Sequence, residues 1–156
     1  MTKPYTFFLA SRPALLSITI IGCFIGLMAA GGPIKIDGLV LLALILALCM
    51  HAAANLLNDY FDHLNGSDDH NYGRISPFTG GSRYIQNQII SATQIHALGI
   101  ALMLICCILG IYICSQSTWL LMPIGILGLL LAWAYSAPPL QLMSKGVLGE
   151  IAIAIA

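Results

Sequence analysis

Long apolar runs dominate the chain. Stretches long enough to cross a bilayer, about 20 residues each, extend from Ala14 to Ala30, from about Gly38 to Leu57, from about Ile95 to Cys114 and from about Thr118 to Tyr135. A fifth begins at Val147 and runs to Ala156, the last residue. A helix too short to span leaves its last carbonyls without partners in lipid, so the pattern predicts a chain truncated inside this run. The expected fold is all-α: a polytopic transmembrane helix bundle with about four complete spans plus the start of a fifth, forming a single membrane domain over 1–156.

Lys3 and Arg12 precede the first run, and Ala29, Ala30, Gly31 and Gly32 follow it, the outline of a cleavable signal peptide. The further spans favour an uncleaved anchor. No repeat of 20 to 50 residues and no low-complexity tract is visible.

Composition fits a membrane protein. Of the 156 residues, 59% are hydrophobic and 8% charged, and mean hydropathy is +0.92. Soluble domains carry roughly 25% charged residues. Six Lys+Arg balance six Asp+Glu, so no long-range field exists to collect nucleic acid. Any anion site must be local. Cys23, Cys49, Cys106, Cys107 and Cys114 all lie in apolar runs without CxxC spacing, which assigns them to packing.

Lys and Arg gather in short cytoplasmic loops. With the N-terminus inside, Lys3, Arg12, Arg74, Arg83 and Lys145 are cytoplasmic and Lys35 alone is outside. The long hydrophilic loop from Asn58 to about Gln94 then faces the cytoplasm of what is expected to be a bacterial inner membrane. It holds Asp59, Asp62, Asp68 and Asp69, four of the six acids.

The second span runs out through Asn55, Asn58, Asp59 and Asp62 to Asn65-Gly66. On a continuing helix Asn58 lies beside Asp62, and Asn55, Asp59 and Asp62 form one polar stripe. Gly66 is a natural helix stop, after which the chain can fold Asp68 back towards Asp62. Carboxylate and amide oxygens at the mouth of a bundle suit Mg²⁺, which completes its shell with waters and phosphate oxygens. The bland alternative is a solvated helix end. Against it, the polar positions begin at His51 and Asn55, inside the apolar span, where polar groups are costly and tend to be functional.

Downstream, Gly73-Arg74 and Gly80-Gly81-Ser82-Arg83 combine glycines, which let a ligand approach the backbone, with arginines able to grip phosphate. Two cytoplasmic arginines are also what topology requires. His63 and His70 beside the acids suggest zinc, but no compact set of four ligands appears. The fourth span ends in Tyr135-Ser136-Ala137-Pro138-Pro139, followed by Lys145-Gly146 and Gly149-Glu150. Paired prolines stop the helix, so Tyr135 and Ser136 are expected at the same face as the acidic loop. Tyr135 there is either an interfacial anchor or part of a site.

These two loops resemble the UbiA superfamily of intramembrane prenyltransferases. Its first Asp-rich motif, N-x-x-x-D-x-x-x-D, maps onto Asn58 and Asp62, with Gly66 where the motif has its third acid. The form N-D-Y-x-D-x-x-x-G-x-D, ending at Asp68, is similar to the branch that prenylates 1,4-dihydroxy-2-naphthoate in menaquinone biosynthesis. Pro77 to Arg83, Tyr135 to Pro139 through Gly149-Glu150, and a weaker Arg12-Pro13 also match that branch.

The resemblance implies half of a nine-helix bundle around a cavity open to lipid, with a second Asp-rich motif in the other half. It implies Mg²⁺-dependent transfer of a polyprenyl group from its diphosphate to an aromatic acceptor. Asn58, Asp59, Asp62 and Asp68 would be metal ligands, and Asp62, Asp68 and Tyr135 catalytic. Asn55, Asn58, Arg74, Arg83 and Lys145 would bind substrate. Expected partners are the polyprenyl diphosphate, the acceptor, membrane lipid and the missing C-terminal half, without which these residues are expected to be inactive. Alternatives are another acceptor, such as 4-hydroxybenzoate or a chlorophyllide, and, outside enzymes, a cation transporter or a non-catalytic assembly subunit. A transporter predicts acids near mid-span, whereas Asp59 and Asp62 lie at the cytoplasmic end.

Overall fold

A computed structural model describes residues 3–31, 35–67, 73, 75 and 80–155. Among them are six α-helices: α1 (Pro4–Ala10), α2 (Pro13–Ala29), α3 (Gly38–Asn65), α4 (Ala92–Gln116), α5 (Met122–Ser136) and α6 (Val147–Ile155). Short 3₁₀ turns lead into α5 and α6. The architecture is the expected all-α bundle. α3, α4 and the segment through α5 are each long and apolar enough to cross a membrane, and α1 with α2 makes a fourth span if that bent pair is one crossing.

Local chemistry sets the ends of these helices. Asp37 caps α3, its carboxylate accepting from the Val40 N–H at 3.0 Å. Ser91 and Gln94 form a reciprocal capping box at the start of α4. α3 continues past its apolar run to Asn65 and stops at Gly66, whose φ of 77° is the left-handed cap conformation. α5 ends at Ser136, immediately before Ala137-Pro138-Pro139.

α1 is the element that the hydrophobic pattern missed. Seven residues are too few to show a helical period, yet Pro4 and Pro13 each open a helix, where their missing N–H is no loss. Pro13 also disfavours helical geometry in the residue before it. Arg12 takes φ 56°, and the chain bends by 62° between α1 and α2.

α3 is the central helix, flanked by α4, α5 and α2. Its closest neighbour is α4: a Cβ placed on Gly99 would sit 2.9 Å from Leu57 Cδ2, so glycine is what permits this approach. Two buried clusters surround the C-terminal third of α3. Leu56 packs with Ala10 of α1, Ile85 and Ile90 of the loop, and Ile95 of α4. Leu57 and Phe61 pack with Ala137, and the Phe61 ring meets Trp133 edge-on at 5.7 Å.

Elsewhere apolar side chains point outward. No residue of α2 is buried, and Ile18, Ile21, Phe24 and Ile25 are exposed. In water such a surface would drive aggregation. In a bilayer such a surface suits contact with lipid or with further helices.

Candidate functional site

Helix direction alternates so that one end of the bundle collects the start of α2, the exit of α3, the entry of α4 and the exit of α5. Two contacts establish this: Arg12 reaches Asp59, and Asn58 reaches Ser136. The polar residues of α3 divide between these neighbours, which corrects the expected single stripe. His51, Asn55 and Asp59, four residues apart, face the N-terminal segment. Asn58 and Asp62 lie on the side towards α5.

On the first side, Thr19 Oγ1 and His51 Nδ1 share a hydrogen bond of 2.6 Å between α2 and α3. Asn55 Nδ2 donates to the Ser11 carbonyl at 2.9 Å. That carbonyl lies at the α1–α2 break, where the helical ladder supplies no donor. Asn55, expected to bind substrate, is therefore occupied in fastening the break to α3. Asp59 Oδ1 accepts from Arg12 Nη2 in a buried ion pair, and its Oδ2 accepts the Ser82 N–H at 2.9 Å. Both oxygens of this expected metal ligand are committed to protein donors.

Removing one member of a buried ion pair typically costs about 3–5 kcal/mol, because the other charge is left uncompensated. Sequence reasoning gave Arg12 to topology and to a weak Arg12-Pro13 family match, with no partner named. The signal that finds its partner is physical: an arginine at the head of an apolar span requires a counter-charge at the same depth, and α3 exits there with Asp59.

On the second side, the Asn58 amide nitrogen donates to Ser136 Oγ at 3.3 Å and to Met143 Sδ at 3.0 Å. Its carbonyl oxygen is thereby turned away from those partners. Asp62 is buried, with 5% exposure. Half-buried Tyr135, one residue before Ser136, lies within electrostatic reach of both Asp62 and Glu150. The expected grouping of Asn58, Asp62 and Tyr135 at one helix-end cluster is thus present. Ser136, which the sequence placed at this face without a role, and Met143, which carried no distinguishing signal, complete it.

The remaining expected residues are more scattered. Asp68 and Arg74 lie outside the described residues. Arg83 is half-buried, with φ 65°, immediately after Ser82. Lys145 is exposed at the turn before α6. Among the described residues, no three His, Cys, Asp or Glu side chains converge as a metal site. The oxygen donors best suited to a hard cation are the Asp62 carboxylate and the Asn58 amide, a set of the size Mg²⁺ uses when phosphate completes its shell.

Comparison with known proteins bears on the family of this chain. The chain is 31% identical over 133 residues to the 1,4-dihydroxy-2-naphthoate octaprenyltransferase of Bacillus subtilis (strain 168), an alignment covering 85% of this chain and 41% of that protein. No solved structure matches. Residues 15–156, the stretch from the head of α2 onward that includes the whole helix-end cluster, match the model of the UbiA prenyltransferase family. A match over nearly the full chain, with Asn58 and Asp62 meeting the end of α5 at one face of the bundle, makes this chain a member of the UbiA prenyltransferase family.

Proposed function

We propose that this chain contributes the first acidic half of the active site of a Mg²⁺-dependent enzyme that transfers a polyprenyl group from its diphosphate to 1,4-dihydroxy-2-naphthoate. The carrying observation is the placement of Asn58 and Asp62 where the exits of α3 and α5 meet, beside Tyr135. The similarity to a naphthoate octaprenyltransferase and the N-D-Y-x-D-x-x-x-G-x-D spacing support the acceptor.

The Asp62 carboxylate and Asn58 carbonyl oxygen would hold the metal, with Asp68 as a further ligand. Bound Mg²⁺ supplies positive charge where diphosphate becomes more negative as the allylic C–O bond breaks. Ser136 and Met143 orient Asn58 by occupying its amide nitrogen. Arg83, with Arg74, would take phosphate oxygens, and exposed Lys145 adds positive charge on the same face. Tyr135 and the apolar side chains around Phe61 and Trp133 would exclude water from the isoprenoid cation. A tyrosine face contributes up to about 2 kcal/mol to such a cation in a desolvated site. The acceptor's electron-rich ring carbon then forms the new C–C bond, and its displaced proton leaves to water or a base.

The test is the complete protein, purified in lipid nanodiscs with a polyprenyl diphosphate and either dihydroxynaphthoate or 4-hydroxybenzoate. Prenylated naphthoate that forms with Mg²⁺ and stops with a chelator supports the reading. Product from 4-hydroxybenzoate alone would reassign the acceptor, and turnover indifferent to chelation would remove the metal.

A further inference from the structure

Three distant parts of the chain meet at Asp59. Its Oδ1 accepts from Arg12, 47 residues earlier, and its Oδ2 accepts the main-chain N–H of Ser82, 23 residues later. Asp59 is 2% and Arg12 9% exposed, so neither charge has water as an alternative partner. The segments that Asp59 joins share an unusual backbone. Arg12 has φ 56° and Arg83 φ 65°, and Gly80 and Gly81 both have φ 71°. Non-glycine residues in the left-handed region persist where surrounding contacts hold them. Asp59 is the contact that the two places share.

Asp59 is one residue from Asn58 and three from Asp62 in the same helix. Whatever is fastened to Asp59 is therefore fixed in register with the proposed metal-binding pair. A hydrogen bond to a main-chain N–H fixes backbone rather than a side chain, so Asp59 sets the path of the Gly80–Arg83 segment whichever rotamer Arg83 adopts. Arg12 contributes the side-chain contact that keeps the Asp59 carboxylate in place.

We propose that Arg12, Asp59 and Ser82 form a clasp that holds the glycine-rich segment against the acidic end of α3, and that Arg12 and Asp59 are positioning residues for the diphosphate donor rather than metal ligands. The proposal rests on the prenyl-transfer reading for its kinetic consequence, but the clasp itself is a conformational claim with its own readout. Opening the clasp releases the segment that carries Arg83, while the oxygens of Asn58 and Asp62 stay on their helix. Donor binding weakens, and the chemical step of the bound complex changes little.

The experiment compares Arg12→Gln, Asp59→Asn, their double variant, Arg12→Lys and Asp62→Asn in the complete protein. The clasp predicts that each single loss raises KM for the prenyl diphosphate about tenfold, and that the double variant is no worse than either, because both break one coupled contact. It also predicts that kcat stays within about threefold and that Arg12→Lys restores most of the affinity, since a single N–H···O contact to a carboxylate is within reach of an ammonium. Trypsin cleavage after Arg83 in the detergent-solubilised protein reads the segment without any assay of turnover. It should accelerate in Arg12→Gln and Asp59→Asn but not in Asp62→Asn. KM effects that multiply in the double variant, or an unchanged cleavage rate in Arg12→Gln, would overturn the clasp. Normal turnover by Asp62→Asn would instead overturn the metal reading and leave the proteolysis result standing.

Discussion

Asn58 and Ser136 are 78 residues apart in sequence and joined by a 3.3 Å hydrogen bond from the asparagine amide to the serine hydroxyl. The bond ties the exit of α3 to the exit of α5 and leaves the Asn58 carbonyl oxygen for other work. Ser136 is buried, with 2% exposure, so water does not replace it when it is removed. We expect Ser136→Ala to raise the Mg²⁺ concentration needed for half-maximal transfer about tenfold or more, the scale of losing a supporting contact behind a metal ligand. Metal titration of steady-state turnover measures it, and an unchanged curve would mean that Met143 alone fixes Asn58.

Asp62→Ala and Asp68→Ala should each lower prenyl transfer by roughly a hundredfold or more, because each deletes an oxygen donor proposed to hold charge against the departing diphosphate. Membrane insertion and yield should be unaffected. Turnover of purified variants at saturating Mg²⁺ is the measurement. Wild-type rates in either would reduce the acidic exit of α3 to a solvated helix end.

Cysteine introduced at Ser67 should be shielded from an impermeant thiol reagent applied outside intact cells, and cysteine at Lys35 should react. The basis is that Arg12, Arg83 and Lys145 lie at the end of the bundle where α3 exits, whereas Lys35 precedes α3 at the opposite end. Reversed labelling would invert the topology.

Gly99→Ala should destabilise the protein by about 1–3 kcal/mol, since a side chain forced into a filled interface displaces its neighbours. The new Cβ would meet Leu57 Cδ2 and Cγ at 2.9 Å, so Leu57, 1% exposed, must shift within its packing to make room. Gly110→Ala in the same helix is the control, because its Cβ would find only Leu46 Cδ1 at an ordinary 3.7 Å. Thermal unfolding in detergent compares them, and equal midpoints would show that α3 and α4 can separate freely at Gly99.

The helices were legible where composition alone decides them. The apolar runs located α2, α3, α4 and α5 to within a few residues, Asn65-Gly66 marked the end of α3, and Pro138-Pro139 placed Tyr135 and Ser136 at the acidic face. Tertiary pairing was not legible. Helical spacing puts Asn55, Asp59 and Asp62 on one broad face, but it does not say that Ser11 and Arg12 at the α1–α2 break claim two of them and α5 the neighbourhood of the third. The Ser82 contact escaped for another reason: a main-chain N–H carries no residue identity, so no motif can announce it. α1 was lost because seven residues are too few to show a helical period, and they resemble a linker until Pro4 and Pro13 are weighed as helix openers.

The Arg12–Asp59 pair also constrains the order of assembly. As the chain is made, α2 is complete before Asp59 exists, and α3 is complete before Ser82 does. During that interval an arginine waits at the head of an apolar helix with no neighbouring carboxylate, a state costly in hydrocarbon and tolerable only where the side chain reaches the headgroups. α2 should therefore enter the bilayer as a loosely held single helix and gain its fixed tilt last, once α3 and α4 have paired and the loop between them has come back to receive it.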